Sequence, residues 1–196
     1  MPTKLAAGAA QPVAKSFSHT PPPLLRLWLA IAIPLVTWDF LYVFLRPHSM
    51  TGGKWHGPWR PYSLYAQVDL VYGRQHYDDG EGFNPAQSLM NFVETAAYVY
   101  YVWLVGVRGR KVVGGDASTA LVVVFTGLVA TFWKTVFYFL VEILGQYKNT
   151  GHNAPWTMFW LWIAPNSPWL LFPGYLVVSL GREIVDGLSG RGSKRD

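Results

Sequence analysis

Four ionisable side chains lie inside long apolar stretches of this sequence: Asp39 in the first, Glu94 in the second, and Lys134 and Glu142 in the third. Charges in such stretches are energetically unfavourable, and they normally face the interior of a helix bundle and serve a function. A carboxyl group held neutral there can donate a proton, and its ionised form can accept one. Glu94, whose neighbours are apolar or weakly polar, is therefore a candidate to donate a proton or a hydrogen bond to a substrate, whereas no partner for Asp39 is evident from the sequence.

The third apolar stretch carries a polar face. Lys134, Tyr138 and Glu142 are spaced four residues apart, so they share one side of a helix. In one interpretation they form a polar seam between helices, with Lys134 paired to Asp39, Glu94 or Glu142. In the other, Lys134 is a Schiff-base or general-base lysine.

The fourth apolar stretch combines tryptophans with prolines. Trp169 and Asn166 fall in mid-span, where an indole can stabilise a desolvated cation by about 2 kcal/mol. The alternatives are an interfacial tryptophan belt and an asparagine that only joins two helices. Prolines remove helical hydrogen bonds, so we expect this helix to be kinked and a cavity to open beside Pro165, Pro168 and Pro173.

The elements that position these residues are membrane helices. A helix needs about 20 mostly apolar residues to cross a bilayer, and four segments qualify: 24–45, 86–107, 119–144 and 156–180. Only 14% of the residues are charged, whereas soluble domains have about 25%. The predicted fold class is all-α: a polytopic membrane bundle of four transmembrane helices with a long aromatic-rich first loop.

That loop, residues 46–85, holds two tryptophans and four tyrosines among glycines and prolines. A connection this long and aromatic is not a free tether. We expect it to pack as a cap over one end of the bundle, with a helical part near residues 62–72.

Basic residues indicate the orientation. Lys and Arg number ten in the two ends of the chain and the second loop, against five in the other loops. The excess predicts that both termini are cytosolic. We divide the chain into a disordered cytosolic tail (1–23), a four-helix transmembrane domain (24–180) and a cytosolic C-terminal tail (181–196).

Several function classes are disfavoured. The chain has no cysteine, and no two of its histidines show the helical spacing of a metal site. It carries no phosphate-binding or dinucleotide-binding motif, and its net charge of +5 is clustered beside apolar runs. We predict no metal, no cofactor and no nucleic-acid partner. The bilayer is the expected environment, and a homodimer is left open.

Four segments resemble the EXPERA family, which includes the emopamil-binding protein (a sterol Δ8–Δ7 isomerase) and the sigma-two receptor. The last apolar stretch matches the pattern Asn-x-x-Trp-Leu-x-x-Pro-Gly. A Met-x-x-x-Glu-Thr run and a Tyr-Phe-Leu-x-Glu run follow the family in the second and third stretches. The first loop matches the pattern aromatic-x-x-Tyr-x-x-x-Asp-x-x-Tyr. The segments are Asn166–Gly174, Met90–Thr95, Tyr138–Glu142 and Tyr62–Tyr72.

The resemblance implies an isomerase that protonates a ring alkene, passes through a carbocation and removes a neighbouring proton. It implies that Glu94 and Asp39 carry protons and that the substrate, a sterol or terpenoid lipid, contacts Trp169, Asn166, Tyr138, Glu142 and Thr95. It also implies an endoplasmic-reticulum location. The sequence departs from the isomerases at Leu35, where they carry a histidine, and Lys134 has no counterpart.

Two other functions fit the same bundle. One is a non-catalytic sterol-binding or lipid-trafficking protein, which the missing histidine favours. The other is a terpenoid isomerase or cyclase of a secondary-metabolite pathway, which would use the same kind of pocket on a different substrate.

Overall fold

The computed structural model describes residues 16–107 and 111–189, and these residues are mostly helical. Four long helices dominate, joined by shorter ones. In chain order the elements are β1 (Ser18–His19), α1 (Pro23–Phe44), α2 (Tyr62–Val68), α3 (Arg74–Asp78), α4 (Phe83–Val107), β2 (Val112–Val113), α5 (Gly115–Leu144), α6 (Pro155–Met158), α7 (Ala164–Asn166) and α8 (Pro168–Leu188).

Local sequence explains where the long helices begin. α1 has Pro23 at its first position, where the fixed φ suits a helix and the missing N–H removes no bond. α5 follows Gly114, whose φ of +68° is left-handed and favours glycine. Of the helices described, α1 and α5 are long and apolar enough to cross a membrane. The four long segments predicted from the sequence, at 24, 86, 119 and 156, begin within four residues of helices in the structure.

The long helices pack in a chain of neighbours: α1 against α4, α4 against α5, and α5 against α8. The largest buried cluster includes Leu25 of α1, Tyr98 of α4, Leu121 of α5 and Leu176 of α8. α4 and α5 approach closely at Gly127, where a β-carbon would lie 2.8 Å from the Tyr98 ring. The core thus runs through all four helices.

Part of the predicted disordered tail is folded. Residues 18–19 pair antiparallel with residues 112–113. His19 is fully buried, with Nδ1 2.7 Å from a Glu183 oxygen and Nε2 2.8 Å from the Tyr101 hydroxyl. These partners come from α4 and α8, so composition alone did not reveal them. Residues 1–15 of the predicted tail lie outside the described residues.

The C-terminal boundary also differs from the prediction. α8 continues to Leu188, beyond residue 180, where we placed the end of the transmembrane domain. Glu183 holds His19 on this extension. Residues 190–196 of the predicted C-terminal tail lie outside the described residues.

The first loop forms the predicted cap. Its helical part comprises α2 and a 3₁₀ turn at Leu70–Tyr72, which confirms the expected helix near residues 62–72. The Tyr62 ring stacks on the Tyr42 ring of α1 with centroids 4.0 Å apart. Trp59 donates its indole N–H to the Trp38 carbonyl at 2.8 Å. The cap is therefore fixed to the second half of α1.

The fourth apolar stretch is broken, as its prolines predict. After α6 the chain makes a π-helical turn at Phe159–Ile163, and Ser167 separates α7 from α8. Pro165 lies in the first turn of α7. Pro165, Asn166 and Trp169 all line a cavity beside this break.

Candidate active site

A cavity of about 310 Å³ lies where the cap meets α1, α4, α5 and the broken fourth stretch. This volume is at the lower end of the range of about 300–1,000 Å³ for small-molecule sites. Two charged side chains, Asp39 and Lys134, line it. Its aromatic walls are Trp38, Tyr62, Tyr65, Tyr72, Tyr138 and Trp169.

Asp39 is the carboxyl group in the cavity wall. The Tyr62 hydroxyl donates to Asp39 Oδ1 at 2.5 Å, and Asn91 Nδ2 donates to Asp39 Oδ2 at 3.1 Å. Tyr62 comes from the cap and Asn91 from α4, so two other elements orient this α1 side chain. The carboxyl predicted as a proton carrier thus faces a space that could hold a substrate.

Glu94 lies behind the cavity wall. Its Oε2 accepts from Lys134 Nζ and from Thr131 Oγ1, each at 2.8 Å. The Glu94 and Lys134 side chains are only 6% and 5% exposed. Of the three partners left open for Lys134, the structure selects Glu94. The predicted proton carrier Glu94 therefore reaches the cavity only through Lys134.

Asn91 connects the two carboxyl groups. Its Oδ1 accepts a hydrogen bond from Lys134 Nζ, while its Nδ2 donates to Asp39. The sequence analysis did not single out Asn91. The available signal was its position three residues before Glu94, which places both polar side chains on one face of α4.

Tyr138 belongs to a second polar cluster in the cavity wall. Its hydroxyl donates to Asp69 Oδ2 and accepts from Trp162 Nε1 at 2.8 Å. Asp69 Oδ1 accepts from the backbone N–H of Val71 at 3.1 Å. Burial raises the pKa of Asp69 to about 6, and Tyr138 and Val71 oppose that rise because they donate to the carboxylate. The cap residue Asp69 therefore titrates near neutral pH.

Glu142 does not line the cavity, although we predicted it as a substrate contact. Asn149 Nδ2 donates to its Oε1 at 2.5 Å, and Thr150 Oγ1 donates to its Oε2 at 2.9 Å. The side chain is fully buried and holds the turn that follows α5. The sequence showed only that Glu142 shares a helical face with Lys134. Its hydrogen bonds to Asn149 and Thr150 depend on the tertiary fold, so they were not predicted.

Of the other predicted substrate contacts, Trp169 and Asn166 line the cavity and Thr95 does not. Trp169 lines the cavity and packs edge-on against Trp28 of α1, with ring centroids 5.5 Å apart. Asn166 also lines it, donating to the Trp162 carbonyl at 2.7 Å and to the Tyr65 hydroxyl at 3.2 Å. Thr95 is buried and is not part of the cavity wall.

Comparison with known proteins finds no family model, curated protein or solved structure that matches this chain. The EXPERA resemblance therefore depends on the motif residues alone. What the structure adds is that six of the named residues in those motifs line one cavity: Tyr62, Tyr65, Tyr72, Tyr138, Asn166 and Trp169.

Proposed function

We propose that this chain is an intramembrane isomerase that moves a double bond of a sterol or related polycyclic terpenoid by protonation and deprotonation. The observation that carries the proposal is Asp39, a carboxyl group on an apolar helix. It faces an aromatic-walled cavity and is held by Tyr62 and Asn91. A positioned acid–base group in a dry site is what such a proton transfer requires.

A bilayer setting with four crossing helices is part of the proposal. α1 and α5 meet the length and hydropathy requirement, and α4 and α8 are comparably long, at 25 and 21 residues. Large apolar side chains on these helices point outward, including Trp103, Trp133 and Leu171 at 57%, 62% and 70% exposure. Extended exposed apolar surface of this kind fits contact with lipid. The family resemblance and the basic residues add the endoplasmic reticulum and cytosolic termini.

The proposed roles follow the positions of the side chains. Asp39 exchanges the proton with substrate carbon, because it is the carboxyl group in the cavity wall. Glu94 neutralises Lys134, which is connected to Asp39 through Asn91. Trp169 forms part of the aromatic wall of the cavity. No cofactor is required, since the double bond moves without net oxidation or reduction.

A non-catalytic sterol-binding protein is the second candidate. The observation that favours it is the position of Glu94, which the resemblance would make catalytic but which lies behind Lys134. Binding alone needs the cavity and not the proton carrier. The two candidates therefore differ in what Asp39 does.

Solvent deuterium tests the proposal. Purified protein in lipid nanodiscs is incubated in D2O with a Δ8 sterol and, separately, with a β,γ-unsaturated 3-ketosteroid, and products are analysed by mass spectrometry. An isomerase yields a product with a shifted double bond from at least one substrate. The product carries solvent deuterium where the added proton comes from solvent, and it keeps the substrate's own proton where one carboxyl group moves that proton between two carbons. Asp39→Asn should lower the rate about 100-fold or more, because positioned acid–base groups contribute roughly that much.

The matched control is Asp78→Asn, which removes an exposed carboxylate that pairs with Arg74 in the cap. It should leave turnover unchanged. If neither substrate is isomerised while both bind, the isomerase proposal fails and the binding protein is favoured. Turnover by Asp39→Asn at the wild-type rate would also refute the role given to Asp39.

A further inference from the structure

Lys134 has a hydrogen-bond donor that no described residue uses. An ammonium group has three N–H donors. Two of them go to Asn91 Oδ1 and Glu94 Oε2, and within residues 16–107 and 111–189 no third acceptor lies within hydrogen-bonding distance. The residue is 6% exposed, and it lines the cavity. Lys134 is therefore a buried cation in the wall of the space that a substrate would fill.

Leaving a buried donor without an acceptor is energetically unfavourable, and more so when the donor is charged. A ligand that brings an oxygen acceptor to Lys134 would recover this energy. Asn91 bonds to both Lys134 and Asp39, so that oxygen would sit close to the carboxylate. The oxygen must therefore be near the reacting carbons, and a hydroxyl at the far end of a sterol does not meet this condition.

The positive charge of Lys134 also favours an oxygen acceptor close to the reacting carbons. A fixed ammonium group stabilises negative charge that develops beside it and opposes a carbocation at the same place. Glu94 compensates the charge of Lys134 from outside the cavity, while Lys134 itself is one of the residues that line the cavity. This arrangement suits an enolate oxygen.

We propose that the substrate is a polycyclic ketone with a β,γ-unsaturated carbonyl and that Lys134 binds the carbonyl oxygen. The proposal rests on the isomerase function above and specifies its substrate class. An aspartate base opposite a hydrogen-bond donor to the oxygen is a known solution for this reaction.

In the proposed reaction, Asp39 moves one proton between two substrate carbons, so no proton is gained or lost overall. The Asp39 carboxylate removes a proton from the carbon between the carbonyl and the alkene, and that C–H electron pair forms the new carbon–carbon double bond of a dienolate. Lys134 holds the dienolate oxygen by its N–H bond. Asp39 then returns the proton to the γ carbon, the carbonyl re-forms, and the product is the conjugated ketone.

The test compares the two substrates in two double variants. Lys134→Gln with Glu94→Gln removes the buried charges together, so no unpaired charge remains in the core. The matched control is Lys148→Gln with Glu81→Gln, which removes the same two residue types at an exposed pair 3.9 Å apart. Conversion of the ketone is followed by the ultraviolet absorbance of the conjugated product, and the Δ8 sterol is followed by mass spectrometry.

We expect wild-type protein to isomerise the ketone in preference to the Δ8 sterol. The buried double variant should lose about 100-fold or more of ketone turnover, the effect of removing one donor to a developing oxyanion. The exposed double variant should keep wild-type turnover.

Isomerisation of the Δ8 sterol but not the ketone would overturn this inference and leave the isomerase function standing. Equal losses of turnover on both substrates in the buried variant would also overturn it, since Lys134 would then act without recognising the carbonyl group. If neither substrate reacts, the proposed function fails, and binding then tests the inference by itself. Wild-type protein should bind the ketone more tightly than the matching steroid without the oxygen, and the buried variant should not. An equal preference in both would refute the lysine–carbonyl contact.

Discussion

The Glu94–Lys134 ion pair allows a quantitative prediction about stability. Its atoms are 2.8 Å apart and both side chains are almost fully buried. Glu94 Oε1 is also buried and has no partner among the described residues, so the carboxylate depends on Oε2. Removing one partner leaves the other as a buried uncompensated charge, which is destabilising by about 3–5 kcal/mol.

The experiment is a double-mutant cycle. Glu94→Gln and Lys134→Gln are each expected to lower the free energy of unfolding by about 3–5 kcal/mol. For a chain of this size that corresponds to a melting temperature lower by about 6–20 °C. The double variant should be less destabilised than the two single variants added together, by about 2 kcal/mol or more, because no unpaired charge remains. Unfolding is followed by tryptophan fluorescence in detergent micelles.

The control is the same cycle at Lys148 and Glu81, whose side chains are 72% and 45% exposed. An exposed pair contributes about 1 kcal/mol or less, so those variants should unfold close to wild type. Additive losses at Glu94 and Lys134 would refute the reasoning, because they would mean that neither charge depends on the other.

Two further predictions concern the cap and the packing of α4 on α5. The buried carboxyl of Asp69 has its pKa raised from 3.8 to about 6, so the protonated form favours folding. The stability that Asp69 contributes should therefore be fully present below about pH 4 and be lost, by about 3 kcal/mol, as pH rises past about 6. Asp69→Asn should remove this fall in thermal unfolding measured across that range, and an unchanged pH profile would contradict the assignment. Gly127→Ala places a β-carbon 2.8 Å from the buried Tyr98 ring, so it should lower the free energy of unfolding by about 1–3 kcal/mol. Gly57→Ala, where a β-carbon meets no atom within 4 Å, is the control for this change.

Long apolar runs made the four long helices predictable. Apolar residues that recur on one side of a helix over a run of about 20 residues predict a helix from local sequence alone. The starts of α1 and α5 follow in the same way from Pro23 and Gly114. The break in the fourth stretch follows from its prolines, whose effect on helical hydrogen bonds is local.

Strand pairing and loop anchoring were less predictable. His19 looked like part of a Pro-rich tail, but it is buried between Tyr101 and Glu183, which are far away in sequence. Glu142 shared a helical face with Lys134, but it bonds to the turn at Asn149. Spacing along a helix defines a face and leaves open which neighbour that face meets.

The sequence by itself determined where the long helices lie, which charges they carry and that an aromatic cap packs on them, because these follow from local hydropathy and spacing. Only the tertiary structure decided that Asp39 faces the cavity, that Glu94 lies behind Lys134 and that Asn91 joins them. The physical reason is that each of these contacts depends on how neighbouring helices are rotated and aligned against one another. That arrangement is set by the packing of the whole bundle.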